Sequence, residues 1–334
     1  MKAIVADRYG PPDLLRMRDL DPPDVADDEV LVRVHAASVH PDVWHTVRGR
    51  PHVLRLMGNG VRRPRRRVPG IDMAGRVESA GRAVTRFQAG DEVFGETIRG
   101  IQWRNGGAFA EYVSVPEDVL ARKPARLSFE QAAAVPTAGL ILLANLRGDA
   151  RLLPGQNVLV NGAGGGVGTV AVQLGKAHRA RVTGVDAADK LELVRSLGAD
   201  RVLDAREDFT RTGDLYDLIV DVPGNHPFPA IRRALTPNGK WVLIGHDGFG
   251  GRRWPGSLLQ LVGLIARTPF SSALPALSFS TPSKQEGMKT LADLIEAGLL
   301  TPVVARTFPL EEVADAIRYL ESGRAAGRIV VTVP

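Results

Sequence analysis

Asn157-Val-Leu-Val-Asn-Gly-Ala-Gly-Gly-Gly-Val-Gly168 decides how the rest of this 334-residue chain is read. Val158, Leu159 and Val160 make a short apolar strand, and Gly162, Gly164, Gly165, Gly166 and Gly168 follow it as a turn open to close backbone approach. Residues 170–177 then continue as an alanine-rich helix. Unsatisfied N–H groups and the positive dipole end at a helix start favour an anionic ligand, so the stretch suits a pyrophosphate, with Gly165, Gly166 and Val167 lying on it. Glycines also mark ordinary turns; the strand before this cluster and the helix after it are what favour the phosphate reading.

The next strand, 181–185, ends in Asp186, about 20 residues past the turn, where an acid that binds adenosine ribose hydroxyls belongs. A 2′-phosphate there meets a like charge, so NADH is favoured over NADPH. Two other roles stay open. Asp is a preferred N-cap residue, and a helix starts near Ala188. Lys190, one turn on, could neutralise the acid or reach a 2′-phosphate itself.

The length allows about two domains, each with its own core. A hydrophobic content of 44% with 24% charged residues is that expected of an ordinary soluble globular protein. No apolar run of about 18 residues is present, and the first residues read as a short strand without the features of a secretory signal. The cytoplasm is the expected compartment. The absence of cysteine excludes disulfides and cysteine-ligated zinc together. The net charge of +6 comes from arginine, clustered most sharply in Arg62-Arg-Pro-Arg-Arg-Arg67. Such a run binds nucleic acid, steers an anionic ligand or is simply a solvated loop. With no aromatic residue inside it for base stacking, nucleic acid is the least favoured.

Up to about residue 125 the pattern is strand-rich and irregular, with strands expected at 29–36, 75–79, 91–94 and 108–115. From Ser128, which caps a helix over 129–135, strands and helices alternate: strands at 157–160, 181–185, 201–203, 218–221 and 241–244, with helices at 168–176, 189–197 and 229–235. That rhythm means parallel strands with crossover helices, an α/β fold. Segment 248–282 breaks the rhythm, and its apolar helix 257–266 suits core or a subunit interface, being too short to span a bilayer. Helices at 284–297 and 310–322 and a strand at 328–333 complete the chain, the last strand rejoining the first domain's sheet.

Together these features resemble the medium-chain dehydrogenase/reductase superfamily, in particular its zinc-free quinone oxidoreductase, or zeta-crystallin-like, branch. The blocks that carry the resemblance are Val68-Pro-Gly-Ile-Asp-Met-Ala-Gly-Arg-Val77, Phe87-Gln-Ala-Gly-Asp-Glu-Val-Phe-Gly95, Gly106-Gly-Ala-Phe-Ala-Glu-Tyr-Val113, the glycine turn, Leu193-Val-Arg-Ser-Leu-Gly-Ala-Asp200 and Gly327-Arg-Ile-Val-Val331. The resemblance implies a GroES-like β-barrel-type catalytic domain from 1–125 and 271–334, a Rossmann doubly wound parallel-sheet domain over 126–270, a homodimer, and an active site in the cleft between the domains. Zinc-containing relatives place a cysteine in the loop after the second strand, and a His-Glu pair where this chain has Ile71-Asp72. A substitute set from His35, His40, Asp42, His45 and His52 lies in a short irregular stretch, so no metal is expected.

Without a metal, the expected chemistry is hydride transfer from NAD(P)H to an electrophilic small-molecule acceptor, a quinone or an alkene conjugated to a carbonyl. The family's asparagine near the nicotinamide is replaced by His40, which could donate a hydrogen bond to the carbonyl oxygen or protonate the enolate, or only pack. Trp44 and His45 are candidate walls of the acceptor pocket, Trp44 being equally suited to the core. The resemblance also places Thr137 at the nicotinamide end, Phe279 near the carboxamide, and Asp221 to Gly224 with Gly245-His246 along the crevice. Alternatives are an alcohol dehydrogenase, disfavoured by the missing zinc ligands, and a cofactor-bound nucleic-acid-binding regulator using Arg62 to Arg67.

Overall fold

Alternation of buried valines with more exposed residues along Glu29–Val39 makes one long strand, and a sheet grows on both of its sides. The computed structural model describes residues 1–100, 105–245, 263, 271, 273–274 and 283–334. The chain forms two compact units, Met1–Leu140 with Ser283–Ala297 and Pro302–Pro334 in the first, and Ile141–Pro282 with Gly298–Thr301 in the second.

In the first unit the strands are β1 (Lys2–Val5), β2 (Arg16–Asp19), β3 (Glu29–Val39), β4 (Asp72–Ala80), β5 (Glu92–Glu96), β6 (Tyr112–Pro116) and β7 (Leu120–Arg122). The second unit holds β8 (Asn157–Asn161), β9 (Arg181–Asp186), β10 (Arg201–Asp204), β11 (Tyr216–Asp221) and β12 (Leu235–Leu243), after which β13 (Val304–Pro309) and β14 (Arg328–Thr332) return to the first. The seven-stranded sheet runs β13-β14-β3-β4-β5-β7, with β6 also on β3. Only the β13–β14 pair is parallel. As the sequence implied, the last strand rejoins this sheet, Val330 opposite Ser38. The core beneath it includes Val30, Val32, Val34, Met73, Phe109 and Ile317.

The second unit's five strands are all parallel, in the order β10-β9-β8-β11-β12. The chain therefore winds outward from β8 to one edge, then returns to β11 on the other side. That reversal between β8 and β11 is the switch point at which open α/β sheets bind ligands, at the carboxyl ends of the strands.

Helices are α1 (Pro41–Arg48), α2 (Phe129–Ala133), α3 (Pro136–Asn145), α4 (Gly166–Ala177), α5 (Leu191–Ser196), α6 (Phe228–Arg233), α7 (Lys284–Glu296) and α8 (Val313–Glu321). Ser128 closes a capping box with Gln131 at the start of α2, as the sequence suggested. The stretch after His40, expected to be irregular, is instead α1, begun by Pro41 and ended by Gly49 in the left-handed region at φ 60°. No helix among the described residues is long and apolar enough to cross a membrane. His246, Phe279 and all but Gly263 of the stretch 257–266 lie outside the described residues.

Candidate functional site

In the second unit the glycine turn is built by contacts of its own. Gly162, at φ 80°, and Ala163 both donate their N–H groups to the Val185 carbonyl, 2.9 and 3.0 Å away, which ties the end of β8 to β9. Gly165 is the N-cap of α4, so the first-turn amides of that helix lack intrahelical acceptors. The glycines are not equivalent. A Cβ at Gly168 would lie 2.0 Å from the Gly162 carbonyl oxygen, and one at Gly164 would lie 2.8 Å from Lys190 Cβ. At Gly165 the same atom meets only Gly162 O, at an ordinary 3.5 Å. Close packing thus accounts for Gly168 and Gly164, whereas nothing among the described residues demands a missing side chain at Gly165. A pyrophosphate laid against the turn would demand it, and the residues present fit that group.

Asp186 closes the far side of the turn. Its Oδ2 accepts the Gly164 N–H at 2.7 Å, its Oδ1 accepts the Ala187 N–H at 2.8 Å, and Lys190 Nζ stands 3.7 Å from Oδ1. The carboxylate braces the turn and does not cap α5. Each oxygen can still accept a second donor, such as a ribose hydroxyl. Of the two roles open to Lys190, the ion pair with Asp186 is the one this geometry contains.

At the switch point, Asn161 and Asp221 end adjacent strands in register. Asn161 Nδ2 donates to Asp221 Oδ1 (2.9 Å) and to Asn225 Oδ1 (3.0 Å), while the Gly224 N–H and Trp241 Nε1 also donate to Asp221. Burial raises the Asp221 carboxyl above its usual range, although these hydrogen bonds pull the other way. Gly245 backs directly onto this edge, where a Cβ would fall 2.1 Å from the Val222 carbonyl oxygen. Sequence reasoning marked the segment from Asp221 to Gly224 but missed the network. Its signal was a polar residue closing each of two apolar strands.

The first unit contains a second cluster. His40, at the N-cap of α1, is 1% exposed; its Nδ1 lies 3.3 Å from Asp42 Oδ2 and its Nε2 3.8 Å from Asp72 Oδ2. Neither ring nitrogen has a hydrogen-bond partner among the described residues. Asp72 accepts from the Ser38 hydroxyl at 2.9 Å and from the Thr137 N–H at 3.2 Å. The Thr137 hydroxyl bridges Asp72 and, at 2.9 Å, Glu96. Asp72 and Glu96 are opposite each other on β4 and β5, both fully buried. Lys284 pairs with Glu96 and donates to the Ile98 carbonyl at 2.7 Å. Arg328, 4% exposed, lies among these carboxylates: burial pulls its pKa down, and Asp72, Asp42 and Glu96 hold it up.

In the first unit His40, Asp42, Asp72 and Thr137 are therefore brought together, and Trp44, His45 and His35 are not. Trp44 sits in the hydrophobic core at 5% exposure with its indole N–H on Glu321, and Arg48 is bonded to the same carboxylate. His45 Nδ1 lies 2.7 Å from the Arg50 carbonyl oxygen, and His35 stacks on Phe129 at 4.4 Å. These histidines have separate local tasks and do not converge with His40.

Two family models match the chain: one described as the alcohol dehydrogenase GroES-like domain over residues 26–125, the other as zinc-binding dehydrogenase over 197–331. The chain is 32% identical to a 2-methylene-furan-3-one reductase of Solanum lycopersicum, covering 99% of this chain and 79% of that protein. It is equally similar, 32% over 99% and 79%, to an NADPH-dependent alkenal/one oxidoreductase of Arabidopsis thaliana chloroplasts. The solved quinone oxidoreductase of Coxiella burnetii superposes with a TM-score of 0.82 at 27% identity, over 100% of this chain and 99% of that one.

Proposed function

The chain belongs to the medium-chain dehydrogenase/reductase superfamily and is a nicotinamide-dependent oxidoreductase of that type; from this premise we propose that it reduces a quinone or an alkene conjugated to a carbonyl. The observation that carries the reading is Gly165, where an added Cβ would meet, among the described residues, only the Gly162 carbonyl oxygen at an ordinary 3.5 Å. The cofactor, once bound, supplies the hydride. The first amides of α4 hold its pyrophosphate, Asp186 takes the adenosine ribose, and Asn161 with Asp221 fixes the crevice edge. His40, whose ring nitrogens lie 3.3 Å from Asp42 Oδ2 and 3.8 Å from Asp72 Oδ2, stabilises or protonates the reduced acceptor. We propose that this proceeds without zinc, because the chain has no cysteine and carries Ile71-Asp72 where zinc-containing relatives place their His-Glu pair. Oxidation of NADH or NADPH, followed by absorbance across quinones, enones and enoyl thioesters, tests the reading. Absence of turnover with every acceptor overturns it.

Within this proposal NADH is the favoured reductant. Asp186→Ser removes the like charge from beside a 2′-phosphate and leaves the Lys190 ammonium unopposed by this acid. We expect the NADPH/NADH ratio of kcat/KM to rise about tenfold. An unchanged ratio takes Asp186 out of cofactor choice.

His40→Ala is expected to lower kcat with an enone about 100-fold while the cofactor Kd moves far less. Parental kinetics would return His40 to a packing role.

A further inference from the structure

In the turn after β11, Asn225 is exposed, yet its side-chain oxygen is held by two donors, Asn161 Nδ2 at 3.0 Å and His226 Nδ1 at 2.8 Å. The turn that carries it is pinned to the switch point. Gly224, in the left-handed region at φ 61°, sends its N–H back to Asp221 Oδ1 at 3.0 Å, and the Val222 N–H donates to the Asn161 carbonyl at 3.0 Å. This turn also flanks the glycine turn, since a Cβ on Gly162 would lie 3.1 Å from Pro223 Cδ and 3.2 Å from Val222 Cβ.

The chain of hydrogen bonds sets which end of Asn225 faces outward. Asp221 takes the Gly224 N–H, the Trp241 indole N–H and one hydrogen of Asn161, so it accepts throughout. Asn161 must then present its amino group, whose second hydrogen requires an oxygen on Asn225. His226 must offer Nδ1–H to that same oxygen. The imidazole is itself held, with Phe209 at 4.6 Å between ring centroids and Asp208 Oδ1 at 3.5 Å from Nε2. The Asn225 amino group donates to no described residue and is left as a donor of fixed orientation on an exposed residue.

We propose that Asn225 Nδ2 donates to an oxygen on the nicotinamide-ribose half of the dinucleotide, and that His226 is a positioning residue acting through Asn225. The inference rests on the cofactor reading above. Asp186 ends β9 and the glycine turn follows β8, so a dinucleotide with its adenosine ribose at the first and its pyrophosphate on the second continues toward β11. That is where the Asn225 turn stands. The acceptors available on that half are the hydroxyl oxygens of the second ribose and the carboxamide carbonyl.

Calorimetric titration of the full chain with ADP, ADP-ribose and NADH tests this without turnover. Asn225→Ala, a change at an exposed position, should keep the unfolding temperature within about 2 °C of the parent and leave the ADP Kd unchanged. NADH should bind about fivefold more weakly. Equal weakening of ADP-ribose supports the contact and puts the bonded oxygen on the ribose; weakening of NADH alone supports it with the oxygen on the carboxamide. His226→Ala should reproduce the pattern at about threefold and add nothing in the Asn225→Ala background. Unchanged NADH affinity in Asn225→Ala, or ADP weakened as much as NADH, overturns the contact, and additive effects of the two substitutions overturn the role of His226. A parent that binds none of the three ligands overturns the cofactor reading along with this inference, so the two failures are told apart.

Discussion

We expect Gly165→Ala to fold like the parent and lose affinity for the nicotinamide cofactor, and Gly168→Ala to damage the second unit itself. Both substitutions add one methyl group within a four-residue stretch, and the surroundings decide the outcome. At 165 the new Cβ meets a single carbonyl oxygen at 3.5 Å, and the backbone there, at φ −83°, is open to any residue. The unfolding temperature should stay within about 2 °C of the parent. A ligand resting on the turn has no such freedom, and displacing it by a methyl group should cost about 2–3 kcal/mol, or about 30- to 100-fold in Kd. At 168 the Cβ lies 2.0 Å from the Gly162 oxygen and within 2.8 Å of Ala163 backbone atoms, none of which can swing aside. The turn must open, with a loss of about 3 kcal/mol or more. Thermal unfolding read beside cofactor fluorescence separates the two. Full cofactor affinity in Gly165→Ala would remove the turn from the binding site.

Arg328→Met should be the most destabilising substitution in the first unit, by about 3–5 kcal/mol in urea unfolding, because it removes one partner from a buried set of charges. The guanidinium is nearly inaccessible, and its Nη2 finds no hydrogen-bond partner among the described residues; it is retained there by the surrounding carboxylates. Without it, Glu96 keeps its ion pair with Lys284. Asp72→Asn in the same background should recover part of the loss, with a coupling of about 1 kcal/mol or more in a double-mutant cycle. Additive effects of the two substitutions would show that the charges do not interact.

How much of this was legible in the sequence depended on which physical signal carried it. The strand-turn-helix at Asn157 to Gly168 and the parallel α/β alternation were readable because apolar runs and glycines sit at fixed spacing, and β8, α4 and β9 follow that reading within two residues. Helix α1 was missed although its marks were present: Pro41 at the first helical position, Asp42 in the first turn and Gly49 at the end. The histidines drew attention as possible ligands, and the capping pattern beneath them went unread. The Asp72, Glu96 and Arg328 cluster was invisible for a different reason. Asp72 was noticed within a family block and as the place of a zinc ligand in zinc-containing relatives, Arg328 within a block at the start of the last strand, and only strand register places Asp72 opposite Glu96. Thr137 shows the same limit, since its bridging hydroxyl depends on residues about 40 and 65 positions away in the chain.

The return of β14 to β3 also sets an order of events during synthesis. The first sheet lacks its β13–β14 edge, and its core lacks Phe308, Ile317 and Ile329, until the ribosome has translated the whole of the second unit's sheet. The second unit, whose strands among the described residues lie between 157 and 243, can assemble while the earlier strands wait with an open edge. Nascent chains stalled after residue 301 should therefore present the second unit folded and the first unit exposed to chaperones and proteases.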